Sequence, residues 1–122
     1  MFINISNVPS KNWSKEQLEQ AHNYGKLVDI AFQEIKPEDS DIIIFDIGGE
    51  IKEQLRELNL KKGDCVCIAG EYGITFDIVD YVHSCLNYVT CVYPVYSSID
   101  VDDSVCYNLA INTIEFVKFR FY

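Results

Sequence analysis

Short apolar runs alternate along the chain with longer amphipathic stretches, a pattern typical of strands that alternate with helices. Compact runs rich in β-branched, aromatic and cysteine side chains predict strands at 2–6, 27–32, 65–69 and 89–96. In the closing segment 114–121, charged and apolar residues alternate, which predicts a strand with one face in water. The chain therefore contains five predicted strands.

Apolar residues at steps of three and four predict helices between these strands. The first helix begins at Ser14, with Gln17 three residues later, a capping-box pattern that satisfies free amide donors at a helix start. A later helix is predicted over 76–86, with Thr75 as its N-cap. Both helices follow directly after loops that leave predicted strands.

The segment between the second and third strands has two interpretations. Residues 41–47 (DIIIFDI) have the composition of a buried strand. The apolar stripe, however, continues with helical spacing as far as Leu58, although Gly48 and Gly49 each weaken a helix by about 1 kcal/mol. Because the stripe persists beyond the glycines, a helix over 40–58 is favoured.

The order of these elements predicts the fold class. Strands and helices alternate, which implies a mainly parallel sheet flanked by helices, and the last strand is expected to be antiparallel or part of a hairpin. The chain has neither an internal repeat nor a linker. We therefore expect one α/β, Rossmann-like domain spanning residues 1–122.

Composition and charge narrow the classes of function. A formal net charge of −9, from 19 acids and 10 bases, repels duplex nucleic acid, but a small anion can still be held by backbone amides. No window is long and apolar enough to span a membrane, and the N-terminus lacks a signal-peptide pattern. Five cysteines, mostly in apolar runs, favour reduced thiols and a cytoplasmic location.

The predicted fold directs attention to the carboxyl ends of the strands, where ligands bind in open α/β sheets. Three segments are expected there: 6–13, 70–75 and 97–98. Gly70 and Gly73 allow the backbone to approach a ligand closely, although glycines at such turns are often needed for backbone angles alone. The candidate ligand-binding residues are Ser6, Asn7, Trp13, Gly70, Tyr72, Gly73, Thr75, Ser97 and Ser98.

Several of these candidates have a simpler structural interpretation. Trp13 could fix the first helix to the core instead of stacking on a base, and the serines could cap turns instead of binding phosphate. The glycine pattern fits neither the dinucleotide fingerprint nor the P-loop, so no cofactor is predicted. Cys65 and Cys67 lack a second pair of ligands, so no metal site is predicted.

Three segments resemble a known group of proteins: FINISNVPSKNWSKEQLEQAHNYGKLVDIAF, IAGEYGITFDIVDYV and IEFVKFRFY. They are similar to small stand-alone proteins with a CARF-type Rossmann domain that occur beside type III CRISPR systems. Several kinds of these proteins are ring nucleases, which bind and degrade cyclic oligoadenylate messengers. The resemblance implies a homodimer that surrounds a cyclic oligonucleotide with the loops 6–13 and 70–75. Where such relatives carry the histidine of SNHP, this chain has Val8.

The resemblance also implies a reaction that needs no metal ion. A ribose 2′-hydroxyl of the ligand would attack its own phosphate in line, so the protein mainly has to position the reacting groups. Ser10 and Lys11 are the candidates for stabilising charge on the phosphate, and Glu71 is the candidate proton acceptor. The alternatives are a cyclic-nucleotide sponge or sensor without catalysis and an acidic protein-interaction module.

Overall fold

The fold was obtained as a computed structural model, which describes residues 1–31, 33–98 and 114–122. Its strands are β1 (Phe2–Ile5), β2 (Leu27–Asp29), β3 (Cys65–Ile68), β4 (Thr90–Ser98) and β5 (Ile114–Phe121). Its helices are α1 (Lys15–His22), α2 (Asp41–Glu57) and α3 (Tyr72–Cys85), and a short 3-10 helix covers Ser10–Asn12.

The five strands form one mixed sheet with the order β2-β1-β3-β4-β5. The first four strands are parallel, and β5 pairs with β4 in the antiparallel direction. In the register, Phe2 of β1 lies opposite Leu27 of β2 and Cys65 of β3. The predicted α/β fold, with a mainly parallel sheet and an antiparallel last strand, is confirmed.

Helices cover both faces of this sheet. Because successive side chains of a strand point to opposite faces, β1 sends Ile3 and Ile5 into a core with α2 and α3. Phe2 packs on the other face with Trp13 and Ala21, beside α1. The carboxyl ends of the parallel strands therefore lie between two helical layers.

Helix α2 settles the ambiguity of the middle segment in favour of the helix. It runs over Asp41–Glu57, between Ser40 and Leu58 at its ends. Gly48 is buried and leaves room for the side chain of Asp77 on α3, which accepts a hydrogen bond from Lys52 at 2.8 Å. The glycine that weakens the helix thus allows α2 and α3 to pack closely.

The predicted start of α3 was wrong. The helix begins at Tyr72, and its N-cap is Glu71, whose carboxylate accepts a hydrogen bond from the Ile74 amide at 2.8 Å. The amide of Thr75 donates to the Glu71 carbonyl at 2.9 Å, so Thr75 lies within the first turn. A carboxylate supplies the same kind of acceptor that the threonine hydroxyl was expected to supply.

The predicted end of β4 was also wrong. The strand includes Ser97 and Ser98, which pair with Glu115 and Ile114 of β5 instead of forming a loop. Strand β2, in contrast, is shorter than predicted and ends at Asp29. In the described part of the chain, no helix is long and apolar enough to cross a bilayer.

Candidate functional site

A cavity of about 770 Å³ opens where the segments after β1, β2 and β3 meet. Its volume lies within the range of about 300–1,000 Å³ that is common for small-molecule sites. The residues that line it come from three separate stretches of the chain: Asn7, Gln33, Glu34, Ile35, Gly70, Glu71 and Tyr72. This is the position at which a parallel α/β sheet is expected to bind a ligand.

A network of partly buried hydrogen bonds, centred on Asn4, holds the loop after β1. Asn4 is almost fully buried, and its Nδ2 donates to the Val8 carbonyl at 3.0 Å and to Asp29 Oδ1 at 2.8 Å. The Ser6 hydroxyl donates to Asn4 Oδ1 at 2.8 Å. Because the Asn4 amide uses both its donor and its acceptor side, the loop has a fixed position relative to β1 and β2.

Ser10, a predicted catalytic residue, is bound to the same network. Its hydroxyl donates to Asp29 Oδ2 at 2.7 Å, and its backbone amide lies 3.3 Å from Asp29 Oδ1. Ser6 and Ser10 therefore support the loop, and neither is among the residues that line the cavity. Sequence reasoning missed Asp29, although its place at the carboxyl end of a parallel strand next to β1 was a usable signal.

The two glycines of the predicted ligand cradle have different roles. Gly70 has a φ of +142°, which favours glycine, and it lies in the cavity wall. Gly73 lies inside α3, where an added Cβ would come within 3.1 Å of both Ile44 of α2 and the Glu71 carboxylate. Gly70 thus fits the predicted close approach, whereas Gly73 serves the contact between two helices.

The start of α3 already carries a negative charge. The Glu71 carboxylate occupies the acceptor position at the helix N-terminus, where a phosphate oxygen would otherwise be favoured. Tyr72 follows it with 90% of its side chain exposed at the mouth of the cavity. An aromatic ring with so much free surface can stack on a flat ligand.

The charges around the cavity are arranged unequally. Two of the residues that line the cavity, Glu34 and Glu71, carry carboxylates. The described lining contains no lysine, arginine or histidine. Lys36 borders a neighbouring depression of about 370 Å³, which shares Ile35 and Glu71 with the cavity. The cavity itself can therefore accept hydrogen bonds from amino groups, while a cation is available only at its margin.

Sequence reasoning missed the third wall of the cavity, residues 33–35. The second strand was predicted to continue to residue 32, and the segment after it was not considered as a loop at the carboxyl edge. The general rule that placed the loops after β1 and β3 at this edge applies equally to β2. That rule was the signal that could have found it.

Other predicted site residues are not among those that line the cavity. Ser97 lies on β4, four residues beyond the residue of β4 that is beside the end of β3. It is therefore about 13 Å beyond the end of β3, in the part of β4 that pairs only with β5. Thr75 is inside α3, and its hydroxyl is buried without a hydrogen-bond partner among the described residues. Lys11 is exposed and forms no ion pair with any residue that the structure describes.

Trp13 belongs to the hydrophobic layer under α1. Its ring lies 6.1 Å from Phe2 and 5.9 Å from Phe119, measured between ring centroids, and only 8% of the residue is exposed. This agrees with the simpler interpretation, in which Trp13 fixes the start of α1 to the core. It also lines a second cavity, of about 410 Å³.

The described histidine, cysteine and acidic side chains contain no group of three or more placed to hold a metal ion. The cavity therefore offers carboxylates, amides, a backbone turn and one exposed ring. With these groups it can bind a flat, polar ligand and position it, and it can accept protons from that ligand.

The fold and the site together define the class of protein, which is a small α/β protein with a ligand-sized cavity at the carboxyl edge of its sheet. The chain belongs to the family described as Uncharacterized protein MJ1673 family, whose model matches residues 1–120. No curated protein and no solved structure matches the chain significantly.

Proposed function

We propose that the protein binds a cyclic oligoadenylate messenger of antiviral signalling in the cytoplasm and degrades it without a metal ion. The observation that carries the proposal is the cavity of about 770 Å³ between the segments after β1, β2 and β3, with Tyr72 exposed at its mouth. The resemblance of the loop sequences to CARF-type ring nucleases supplies the identity of the ligand.

The charges of the cavity are compatible with an adenine base. The amino group of adenine donates hydrogen bonds, and the carboxylates of Glu34 and Glu71 accept them. Phosphates of the ligand would lie toward the margin, where Lys36 borders the neighbouring depression. The acidic lining thus supports binding through the bases more than through the phosphates.

A homodimer is part of the proposal, because one subunit of 122 residues encloses only part of a cyclic oligonucleotide. Helices α2 and α3 present four large apolar side chains that are each more than two-thirds exposed: Ile42, Phe45, Tyr72 and Phe76. Together they expose on the order of 600 Å², close to the roughly 800 Å² that each partner buries in a standard interface. Light scattering that shows only monomers, with and without ligand, would contradict this arrangement.

Replacing Tyr72 by alanine is expected to weaken binding of cyclic tetra-adenylate. Stacking of one base on an aromatic ring contributes about 1–3 kcal/mol, so the dissociation constant should rise roughly 5- to 150-fold. Isothermal titration calorimetry measures the change directly. Tyr88→Ala is the matched control, because Tyr88 is also exposed but borders a separate depression beside Leu86. Because Tyr72 also belongs to the proposed dimer surface, light scattering must show that Tyr72→Ala has the same oligomeric state as the wild type. Equal affinities of wild type and Tyr72→Ala would remove Tyr72 from the site.

Cleavage of the messenger is expected to continue in EDTA. The attacking group would be a 2′-hydroxyl of the ligand, so the products should end in a 2′,3′-cyclic phosphate. Lys11→Ala should slow cleavage by about 10²–10³-fold, because it removes a charge that stabilises the transition state, while binding changes less. Chromatography and mass spectrometry of the reaction with and without EDTA test this. Complete loss of cleavage in EDTA, restored by a divalent cation, would contradict it.

Sequestration without cleavage is the second candidate function, and two contacts favour it. The Glu71 carboxylate already accepts the Ile74 amide, and the Ser10 hydroxyl already donates to Asp29. Two of the three predicted catalytic groups are therefore engaged within the protein. Tight binding with intact ligand recovered after hours would identify the protein as a sponge.

A further inference from the structure

The outer face of α2 changes in character along the helix. Residues three and four positions apart share one face of a helix, and one such row contains Ile42, Phe45, Gly49, Lys52 and Arg56. Its first half is apolar, with Ile42 71% and Phe45 73% exposed. Its second half carries two cations, and Gly49 at its centre is exposed, with open space where a side chain would be. The row thus combines an apolar half and a cationic half, with no side chain between them.

The two ends of the α2–α3 helix pair differ in charge. The helices start side by side, since a Cβ added at Gly73 would lie 3.1 Å from Ile44. The depression at this end is lined by three carboxylates and one amine, together with apolar residues: Asp39, Asp41, Glu71 and Lys36. The depression at the opposite end, of about 520 Å³, contains Arg56 and Lys61 and has no acid in its described lining. One end of the helix pair is therefore acidic and the other is basic.

We infer that a second copy of the chain binds to this face in the antiparallel direction, with the two α2 helices crossing at Gly49. The missing side chain allows the two backbones to approach closely there. A two-fold axis at Gly49 pairs each residue before it with the residue equally far after it, so Ile42 meets Arg56 of the partner subunit. Apolar side chains then cover the aliphatic stems of the cations. The acidic end of each subunit faces the basic end of the other, whereas a parallel arrangement would bring the two acidic ends together.

The antiparallel arrangement brings a cation to the mouth of the cavity. Because a helix rises 1.5 Å per residue, Arg56 lies about 22 Å from Asp41 in its own subunit. Across the axis, Arg56 of the partner subunit comes to the start of α2, beside the wall that contains Glu71 and Tyr72. Its contact with Glu53 joins two exposed side chains, so this contact holds the guanidinium only weakly. Each subunit thus supplies the charge that the described lining of the other cavity lacks.

The role of this cation toward a ligand rests on the proposed function. Arg56 of the partner subunit would bind the phosphates, which the acidic lining of the cavity repels. The arrangement differs from the one that the resemblance implies, in which loops of both subunits surround one ligand. Here the two cavities lie at opposite ends of the interface, so a dimer binds two ligands.

Disulfide cross-linking tests the antiparallel geometry without a ligand. Under mild oxidation, Gly49→Cys should form covalent dimers, because its two thiols meet at the axis. Glu57→Cys is the matched control, since its thiols are about 24 Å apart in the antiparallel arrangement and adjacent in a parallel one. The wild type gives the background from the exposed Cys85. Cross-linking of Glu57→Cys, or a failure of Gly49→Cys to cross-link, overturns the inference.

Arg56→Gln tests the contribution of the partner to the cavity. The variant should remain a dimer in light scattering, and its affinity for cyclic tetra-adenylate should fall about 10-fold or more, with a weaker dependence on salt. Lys62→Gln removes an exposed charge nearby, outside the described linings, and should bind like the wild type. The wild type should bind one ligand per chain.

The two experiments separate the inference from the proposed function. If Gly49→Cys cross-links but the wild type does not bind cyclic tetra-adenylate, the antiparallel dimer is supported and the proposed ligand is wrong. If the wild type binds it, equal affinity of Arg56→Gln or one ligand per two chains overturns the role of Arg56 across the interface.

Discussion

Raising the pH from 8 to 10 is expected to lower the free energy of unfolding by about 4 kcal/mol. The cause is a set of three fully or almost fully buried thiols, Cys65, Cys67 and Cys91. Burial raises the pKa of Cys65 and of Cys91 from the usual value near 9 to about 12, and for Cys65 the neighbouring Cys91 adds to the rise. Burial also raises the pKa of Cys67.

The direction of this effect follows from proton binding. Below pH 9 the thiols keep their protons in both the folded and the unfolded chain, so they contribute no pH dependence. Above pH 9 the unfolded chain releases these protons, whereas the folded chain keeps them up to about pH 12. Each thiol then favours unfolding by about 1.4 kcal/mol between pH 8 and 10. The sum is a large part of the 5–15 kcal/mol that is typical of a domain.

Urea denaturation under reducing conditions measures this loss at each pH. Cys67→Ala removes one of the three protons and should reduce the loss by about a third, even though the variant is less stable at neutral pH. Cys85→Ala is the matched control, because Cys85 is exposed, and its profile should follow that of the wild type. A stability that stays constant from pH 8 to 10 would show that water reaches the thiols.

Replacing Phe2 by alanine is expected to destabilise the protein by about 3–5 kcal/mol. The Phe2 ring is fully buried and lies 4.9 Å from the ring of Phe119, 5.7 Å from Tyr24 and 6.1 Å from Trp13, between centroids. These partners come from β5, from the end of α1 and from the loop after β1. The substitution therefore opens a cavity at the point where three parts of the fold meet.

The midpoint of urea denaturation, followed by the fluorescence of Trp13, measures the cost of Phe2→Ala. Phe121→Ala makes the same chemical change on β5, but at a side chain that is 70% exposed, and it should alter stability by less than about 0.5 kcal/mol. Similar stabilities of the two variants would mean that the ring of Phe2 is not the centre of this layer.

The sequence predicted those features that depend on local patterns. The apolar stripe of α2 identified the helix despite Gly48 and Gly49, because packing of a whole helix face outweighs about 1 kcal/mol at each glycine. Only the N-cap half of the capping box at Ser14 was confirmed: the Ser14 side chain accepts from the Gln17 amide at 3.2 Å, whereas the Gln17 side chain donates to Tyr96. In both places the residues that decide the structure are neighbours in sequence.

The features that depend on distant partners were predicted poorly. Ser97 and Ser98 look like loop residues until β5 pairs with them, and that pairing joins segments far apart in sequence. Thr75 is a common capping residue, whereas Glu71 caps the helix because its side chain folds back on the Ile74 amide. The candidate site was predicted in part: the loops after β1 and β3 contribute Asn7, Gly70, Glu71 and Tyr72, but the same rule for the carboxyl edge was not applied to the segment after β2.

In the part of the chain that the structure describes, the two edge strands of the sheet affect how the protein behaves at high concentration. β2 offers only three residues, Leu27–Asp29, to an incoming strand. At the opposite edge of the sheet, β5 carries the exposed residues Lys118 and Arg120. Edge strands that are short or charged discourage pairing with strands of other molecules, and such pairing leads to aggregates and fibrils. Concentrated samples should therefore resist fibril growth, and copies of the chain that associate should meet through helices instead of extending the sheet.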